Sequence, residues 1–496
     1  MKLNYIAAFA FAVALASCDI LDKEPSNQWE SETAIQTVDD LIYAVNGVYE
    51  SQTNSIDGGT NPFGSYAGDF GLFADLKGSD YQCVGNNNQA TDISKYMATA
   101  TSSMPESIYK RFYLSIARVN KVLEQVEEAG LSGEDVEACK GELYALRALF
   151  HFDLARVFAQ LPTVVPDKLD EPDMGIVLST QSYDETFVPQ RATLRETYES
   201  ILADIKKAID IMEPIADTKD PNSTRGHMNY WATLALRARV NLYLDELNID
   251  DTTKHNEQAL TDAETIINSG KYKLYSRADY TSVWAKEFTD ESIFEIQVTS
   301  LYNPQRNSLG YYTDPAGYAE AGMSDSFVKE FIGEESTYAY KTTDVRVSEG
   351  MIAEESDGGE NQAYYTQKYP GRDGQIYVNN PKVFRLSEMY LIAAEAALKT
   401  NDVTKAAKYI DDLRQQRIEG YVAGTTTTVT IEDILTERRL ELNGEGHMAW
   451  DMWRNNEAVN NPAVGEVKPA AYNAVFPIPQ ANINVSHGAL KQNSGF

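Results

Sequence analysis

Apolar residues in this chain recur with the period of a helix rather than a strand, and they do so in neighbouring pairs of segments. Leu194, Tyr198, Ile201, Leu202, Ile205, Ala208, Ile209 and Met212 fall on one face of a 3.6-residue period, and Thr193 with Glu196 makes a capping box just ahead of them. Similar segments lie at 34–50, 106–128, 134–159, 228–246, 256–269, 385–399, 402–418 and 430–443, the last opening with Thr430 and Asp433 in N-cap and N3 positions. Pairing them gives four hairpins: 34–50 with 106–128, 134–159 with 190–214, 224–246 with 256–269, and 383–399 with 402–418. The stretch 393–413 has Ala where paired helices must approach closely, a tetratricopeptide-like character. The expected fold is mainly α, with four tetratricopeptide-like helix hairpins supporting long irregular insertions.

Those insertions, about 51–105 and 271–382, are rich in Gly, Asn, Asp, Ser and Tyr. Structureless loops of such length are uncommon inside a fold, so order and function are expected of both. Tyr66, Phe70, Phe73 and Tyr81 interleave with Asp69, Asp80 and Asn86 to Asn88 in the first. Trp284, Tyr302, Tyr311, Tyr312 and Tyr318 do so with Asn303, Gln305, Arg306 and Asn307 in the second. An aromatic plate covers the apolar C–H face of a sugar ring while amides and carboxylates meet its hydroxyls. The expected ligand contacts are Tyr66, Phe70, Asp80, Tyr81, Trp284, Tyr302, Asn303, Tyr311 and Tyr312. Each alone reads as packing of its own loop; as a group, at least about two or three should touch ligand. Trp450 and Trp453, beside Met448 and Met452, read as core, and His151 and His447 as structural imidazoles.

The N-terminus constrains the compartment. Lys2 precedes an apolar run from Tyr5 to Ala16, well short of the ~20 residues that span a bilayer, and it reads as a signal peptide over 1–17. The run ends Leu15-Ala16-Ser17-Cys18, which looks like a lipobox with Cys18 as the lipidated first residue. Removing 1–17 takes away one Lys and moves the net charge from −31 to −32. More than one acyl chain at Cys18 would give stable anchoring. Residues 18–32 are polar, contain Pro25 and lack periodicity, as expected of a tether, which leaves 33–496 as a single domain. Asp19, Asp22 and Glu24 after the Cys resemble a surface-export signal of Bacteroidetes lipoproteins. Cys83 and Cys139 read as buried thiols, since sequence cannot place their Cα atoms within bonding distance.

Composition removes several function classes. With 43 basic against 74 acidic residues, a sequence-independent grip on nucleic acid is excluded as an expectation. Five His and three Cys leave little material for a metal centre, and no cofactor is expected. There is no His-Glu-x-x-His pair, phosphate-cradling Gly-Lys-Ser loop, Gly-x-Ser-x-Gly elbow or Cys-x-x-Cys. Paired carboxylates for glycoside hydrolysis stay open, because so many acids provide every spacing. The acidic cluster at 248–251 could hold Ca2+ but lacks the spacing and central Gly of an EF-hand loop.

Four ordered segments carry a family resemblance. They are "ELYALRALFHFDLARVF" at 142–158 with Arg147, followed by Pro162, and "FRLSEMYLIAAEAALK" at 384–399 with Arg385, Glu388 and Glu395. The third is "ILTERRLELNGEGHMAWDMWR" at 434–454, with Glu437, Arg438, Glu441, Glu445, Gly446, Asp451 and Arg454. The last is the C-terminal "FPIPQANIN…LKQNSGF", with Pro477, Ile478, Pro479, Gln480, Gln492, Asn493 and Gly495. With the lipobox and helix pairs, these resemble the SusD/RagB family of surface lipoproteins from Bacteroidetes glycan-uptake systems, over nearly the whole mature chain. Met448, Ala159, Asn482 and Ser494 depart from its usual Arg, Gly, Glu and Pro. The matched charges lie among apolar helix positions, where Arg–Glu pairing could satisfy them, so their expected role is structural.

The resemblance implies a SusD-like α-α superhelix without catalysis, held at the outer membrane by lipid. It would capture a glycan at the cell surface and deliver it to a SusC-like TonB-dependent transporter, against which the helix repeats would pack. Two other readings remain open: a peptide- or glycopeptide-binding member of the same fold, and a surface glycosidase.

Overall fold

A computed structural model of the 496-residue chain describes residues 34–53, 64–84, 88–218, 224–250, 252–356 and 362–496. The signal segment, Cys18 and the tether lie outside the described residues, as do Asn86, Asn87 and Asp251.

The capping chemistry forms helices where the sequence marks them. Helix α1 (Val38–Glu50) starts on a Thr37/Asp40 capping box, and α2 (Ser103–Ala129) ends at Gly130 in the left-handed region. Then follow α3 (Glu134–Phe158), α4 (Leu194–Met212) behind the Thr193/Glu196 box, α5 (Tyr230–Leu244) capped by Asn229, and α6 (His255–Asn268). Helices α7 (Leu386–Lys399) and α8 (Val403–Arg417), capped by Asp402, precede α9 (Ile431–Glu441), whose Thr430/Asp433 box is complete, and the short α10 (Met448–Arg454).

The four expected pairs are in contact: α1 with α2, α3 with α4, α5 with α6, and α7 with α8. Helices α2 and α3 also pack together, as do α6 and α7, so one pair continues into the next. Ala393, Ala394, Ala396 and Ala397 of α7 are all fully buried, which lets α6, α8 and α9 approach its backbone. Helix α3 is buried on every side from Leu143 to Phe158 and is therefore not amphipathic there.

The two insertions are ordered wherever described, and they meet. Strand Tyr81–Gln82 of the first pairs antiparallel with Gly322–Met323 of the second, and Gly68 bridges Ser308. Strand Ser292–Glu295 pairs with Lys382–Arg385, which leads directly into α7.

The charged residues of the sequence motifs form a buried lattice. Arg385 reaches Glu441 at 2.6 Å, Glu445 at 2.7 Å and Glu291 at 3.0 Å, while Arg417 reaches the same Glu441 at 2.9 Å. Arg346 links Glu441 to Glu437 and Asp344, Arg414 joins Glu437, and Lys368 joins Glu445. Five cations (Arg346, Arg385, Arg414, Arg417, Lys368) thus meet five carboxylates (Glu291, Asp344, Glu437, Glu441, Glu445) in one connected, charge-balanced cluster. Burial alone would raise the carboxylate pKa values, but the guanidinium groups win and hold Glu441 well below its usual range. Separate buried pairs, Arg454–Glu395, Arg239–Glu388 and Arg438–Asp451, tie α10, α7, α5 and α9 together. The C-terminal signature works similarly: Asn493 donates to the Phe158 and Phe476 carbonyls, and Gln492 clamps the Ile478 backbone.

His151 and His447 are buried, with desolvation and then neighbouring arginines lowering both pKa values, His151 to about 3. Trp450 and Trp453 are core, Trp450 lying stacked on Phe73 at 5.4 Å. Cys139 is buried as expected, but Cys83 is only half-buried, because the strand it follows lies at the edge of the insertion, and its thiol meets the Ser94 hydroxyl rather than a second sulfur. No helix among the described residues is long and apolar enough to cross a membrane, and no cluster of three or more His, Cys, Asp or Glu among them could hold a metal.

Candidate functional site

An open cleft of about 590 Å³ lies between α1 and the segment 288–302. Tyr43, Asn46, Gly47 and Glu50 come from α1, and Phe288, Gln297, Thr299 and Tyr302 from the facing segment. Leu41, Val45 and Val48 are the buried stripe of α1, and Tyr43 lies off it, 72 % exposed. Tyr302 is 49 % exposed.

The floor is built from fixed groups. The buried Tyr49 hydroxyl donates to Glu142 Oε2 at 2.8 Å and accepts from the Met228 amide at 2.7 Å; burial first, then Glu142, push its pKa far up. His227 Nδ1 sits 2.9 Å from the same Glu142 oxygen, with its ring edge-on to Tyr49 at 5.2 Å. The turn presenting Tyr302 is held by Asn303, whose amide donates to the Thr299 and Ser300 carbonyls while its oxygen accepts from Gln305 N–H.

Gly47 is unusual in the middle of α1, where glycine costs about 0.5–1 kcal/mol relative to alanine. Outside the backbone of α1, no described atom lies within 4 Å of where its Cβ would stand, so no described packing contact requires the glycine. Gly47 lines the cleft without a side chain of its own.

The arrangement is an aromatic pair flanking amides, hydroxyls and one carboxylate, Glu50. None of the described lining residues is Lys or Arg. It can cover apolar faces and exchange neutral hydrogen bonds, and the one imidazole in its lining, His227, is held against Glu142.

The structure corrects most of the residues expected at the ligand. Tyr66 and Phe70 pack edge-on with each other and with Phe112, and Phe70 continues to Trp450. Tyr81 is buried and donates its hydroxyl to Asn443 at 2.7 Å; Asp80 is buried in an ion pair with Arg439 at 2.7 Å. Trp284 roofs the charge lattice, with Lys368 Nζ 4.7 Å and the Arg385 guanidinium 5.7 Å from its ring, which leaves no face for a sugar. Tyr312 is fully buried, and Asn303 is spent on the turn. In each case the two insertions, by packing on each other and on the helices, turn the side chain inward.

Two of the nine remain accessible. Tyr302 lines the cleft, and half-buried Tyr311 lies outside it, stacked on Tyr377 at 6.3 Å and edge-on to Tyr318. Sequence reasoning missed Tyr43, Asn46, Glu50, Phe288, Gln297 and Thr299. One signal was present: Tyr43 is an aromatic on the polar side of an amphipathic helix.

Comparison with known proteins supplies the frame in which this cleft sits. A family model described as "SusD family" matches residues 217–496, and one described as "Starch-binding associating with outer membrane" matches 19–242. The chain belongs to the SusD family. A SusD-like protein, P38, of Formosa agariphila is 24 % identical over 482 residues, covering 90 % of this chain and 89 % of that one. A putative sugar binding protein from Bacteroides vulgatus is 26 % identical with a TM-score of 0.78, covering 94 % of this chain and all of its own. A SusD superfamily protein from the same species is 28 % identical at the same TM-score, over 93 % of this chain and 100 % of its own. The SusD motif residues Arg147, Arg385, Glu388, Glu395, Glu437, Glu441 and Arg454 are all buried or paired within the frame, and none lines the cleft. SusD membership therefore accounts for the scaffold, and the motif residues that mark it lie away from the cleft.

Proposed function

We propose that the protein is a lipid-anchored surface receptor that captures a neutral oligo- or polysaccharide in the cleft between α1 and 288–302 and passes it to a SusC-like TonB-dependent transporter. The observation that carries this reading is the pair of exposed rings, Tyr43 and Tyr302, flanking a cleft lined by amides and hydroxyls with no Lys or Arg among the described lining residues. Stacking on both rings would hold the sugar faces, and Asn46, Gln297 and Thr299 would meet hydroxyls. The net charge of −31 and the Glu50 carboxylate repel uronate and sulfate groups, which favours neutral glycans. Tyr311 with Tyr377 offers a second stacking surface outside the cleft.

The match to a starch-binding family model and to a putative sugar binding protein supports the carbohydrate reading, and the lipobox at Cys18 supports the anchor. Binding without catalysis is the proposed activity. The test is titration calorimetry of the protein against a panel of neutral and uronate-containing oligosaccharides, with a reducing-end assay on the same mixtures. Binding of a neutral member, lost on Tyr43→Ala with Tyr302→Ala and accompanied by no new ends, is the expected result. Binding confined to acidic members, or release of new ends, would overturn it.

A further inference from the structure

A small interior cavity of about 40 Å³ lies where the two insertions meet the helical frame. Tyr66 of the first insertion, Lys382 of the second, Arg156 of α3, Arg239 of α5 and His447 just ahead of α10 line it, and all five are buried. The space exceeds the roughly 10–15 Å³ that admits one water-sized particle and falls far below the roughly 300 Å³ of a pocket for an organic ligand.

Its polar side chains are almost all donors. The buried Tyr66 hydroxyl makes no hydrogen bond to any described residue. Glu388 takes the Nε and Nη2 edge of Arg239, at 2.7 and 2.6 Å, and Asp153 takes the same edge of Arg156. Arg239 Nη1 is left without a described acceptor, and Arg156 Nη1 has only the Tyr243 hydroxyl at 3.4 Å. Lys382 meets one carboxylate, Glu295, at 2.6 Å. The single carboxylate among the described lining residues, Glu445, is spent: Oε1 accepts from Lys368 and Arg385, and Oε2 from Arg385. His447 registers the balance. Burial first, then Arg239, Arg438, Arg156 and Arg385, depress its pKa, so cations outweigh carboxylates at the imidazole.

We propose that this cavity binds a monatomic halide, chloride in a saline medium, held by the Tyr66 hydroxyl, Arg239 and Lys382. A buried hydroxyl left unpaired is costly, and an anion satisfies it together with the spare guanidinium N–H groups. A water in the same place would bring two donors of its own to side chains that are themselves donors. The ion would join the first insertion, the strand leading into α7 and α5 at one point. No sugar group takes part, so the assignment stands apart from the carbohydrate reading.

The test follows thermal unfolding of the protein as chloride replaces gluconate at a constant ionic strength of about 0.15 M, which keeps screening the same throughout. The midpoint should rise along a saturating curve, by about 2 °C in all, and bromide should substitute for chloride. Tyr66→Phe keeps the ring against Phe70 and Phe112 while removing the hydroxyl, and should weaken halide affinity about tenfold. Its midpoint in gluconate should match or exceed that of the parent, because the unpaired hydroxyl is gone. Parent crystals soaked in bromide should show an anomalous peak in the cavity between Tyr66 and Arg239. Coincident chloride and gluconate curves, a halide response that Tyr66→Phe keeps in full, or a cavity without a bromide peak would overturn the assignment.

Discussion

The charge lattice under α7, α8 and α9 and the cleft beside α1 use polar side chains in opposite ways. In the lattice, Arg385, Arg417, Glu291 and Glu441 are wholly buried and each meets partners of the other sign. In the cleft, Tyr43 and Tyr302 remain exposed, and Glu50 has no Lys or Arg beside it among the described lining residues. The lesson concerns satisfaction. A buried ion must have its partner inside the protein, so its neighbours are dictated; a binding residue must leave capacity unused, so its neighbours are free to differ.

The sharpest way to test this contrast is to remove members of the buried interior first. Arg385→Met leaves Glu291, Glu441 and Glu445 short of a buried cation and should cost about 3–5 kcal/mol in urea unfolding. A loss below about 1 kcal/mol would mean that the lattice is not the element holding α7 to α9. Tyr312→Ala, a residue of the insertion that proved to be core, should lose a comparable amount, about 3–5 kcal/mol, through the cavity it leaves.

Acid should act on the frame before it acts on the cleft. Glu441, Glu445 and Glu395 have folded pKa values lowered from 4.5, burial opposing and nearby Arg and Lys prevailing. The stability they contribute is complete above about pH 5 and lost as pH falls through their folded values. His151, held neutral down to about 3 by burial, acts in the same direction, because the unfolded imidazole gains a proton that the folded one refuses. Asp69 and Asp75, raised by burial to about 6 and about 7, act the other way but are outnumbered below pH 5. Unfolding free energy measured at pH 5 and pH 3 should therefore drop; a flat profile would show that the carboxylates are not compensated as drawn.

Smaller effects probe the cleft. Tyr302→Ala should leave stability within about 0.5 kcal/mol of the parent yet reduce affinity for the bound glycan about tenfold. Gly47→Ala should raise stability by about 0.5–1 kcal/mol, since the new methyl group meets open space. If that methyl left ligand affinity untouched, the wall of α1 at Gly47 would not be part of the binding surface.

How much of this was legible beforehand differs by element. The capping boxes at Thr193 and Thr430, the four helix pairs and the internal pairing of the motif charges could be read directly, because each depends on spacing within one or two segments. The ligand residues could not. Trp284 and Tyr302 have similar company along the chain, but one lies over Lys368 and Arg385 and the other opens to solvent. Tyr43 went unnoticed because it sits in a frame helix, and only the approach of 288–302 makes its exposed ring one side of a cleft.

The sequence by itself determined the helical frame, its family and the residues that must pair inside it, since helical period, caps and buried charge are local or mutually dictated quantities. Only the tertiary structure decided which aromatic rings face water. That choice depends on how two insertions, separated by more than 150 residues, fold onto each other and onto α1, and no spacing along the chain encodes it.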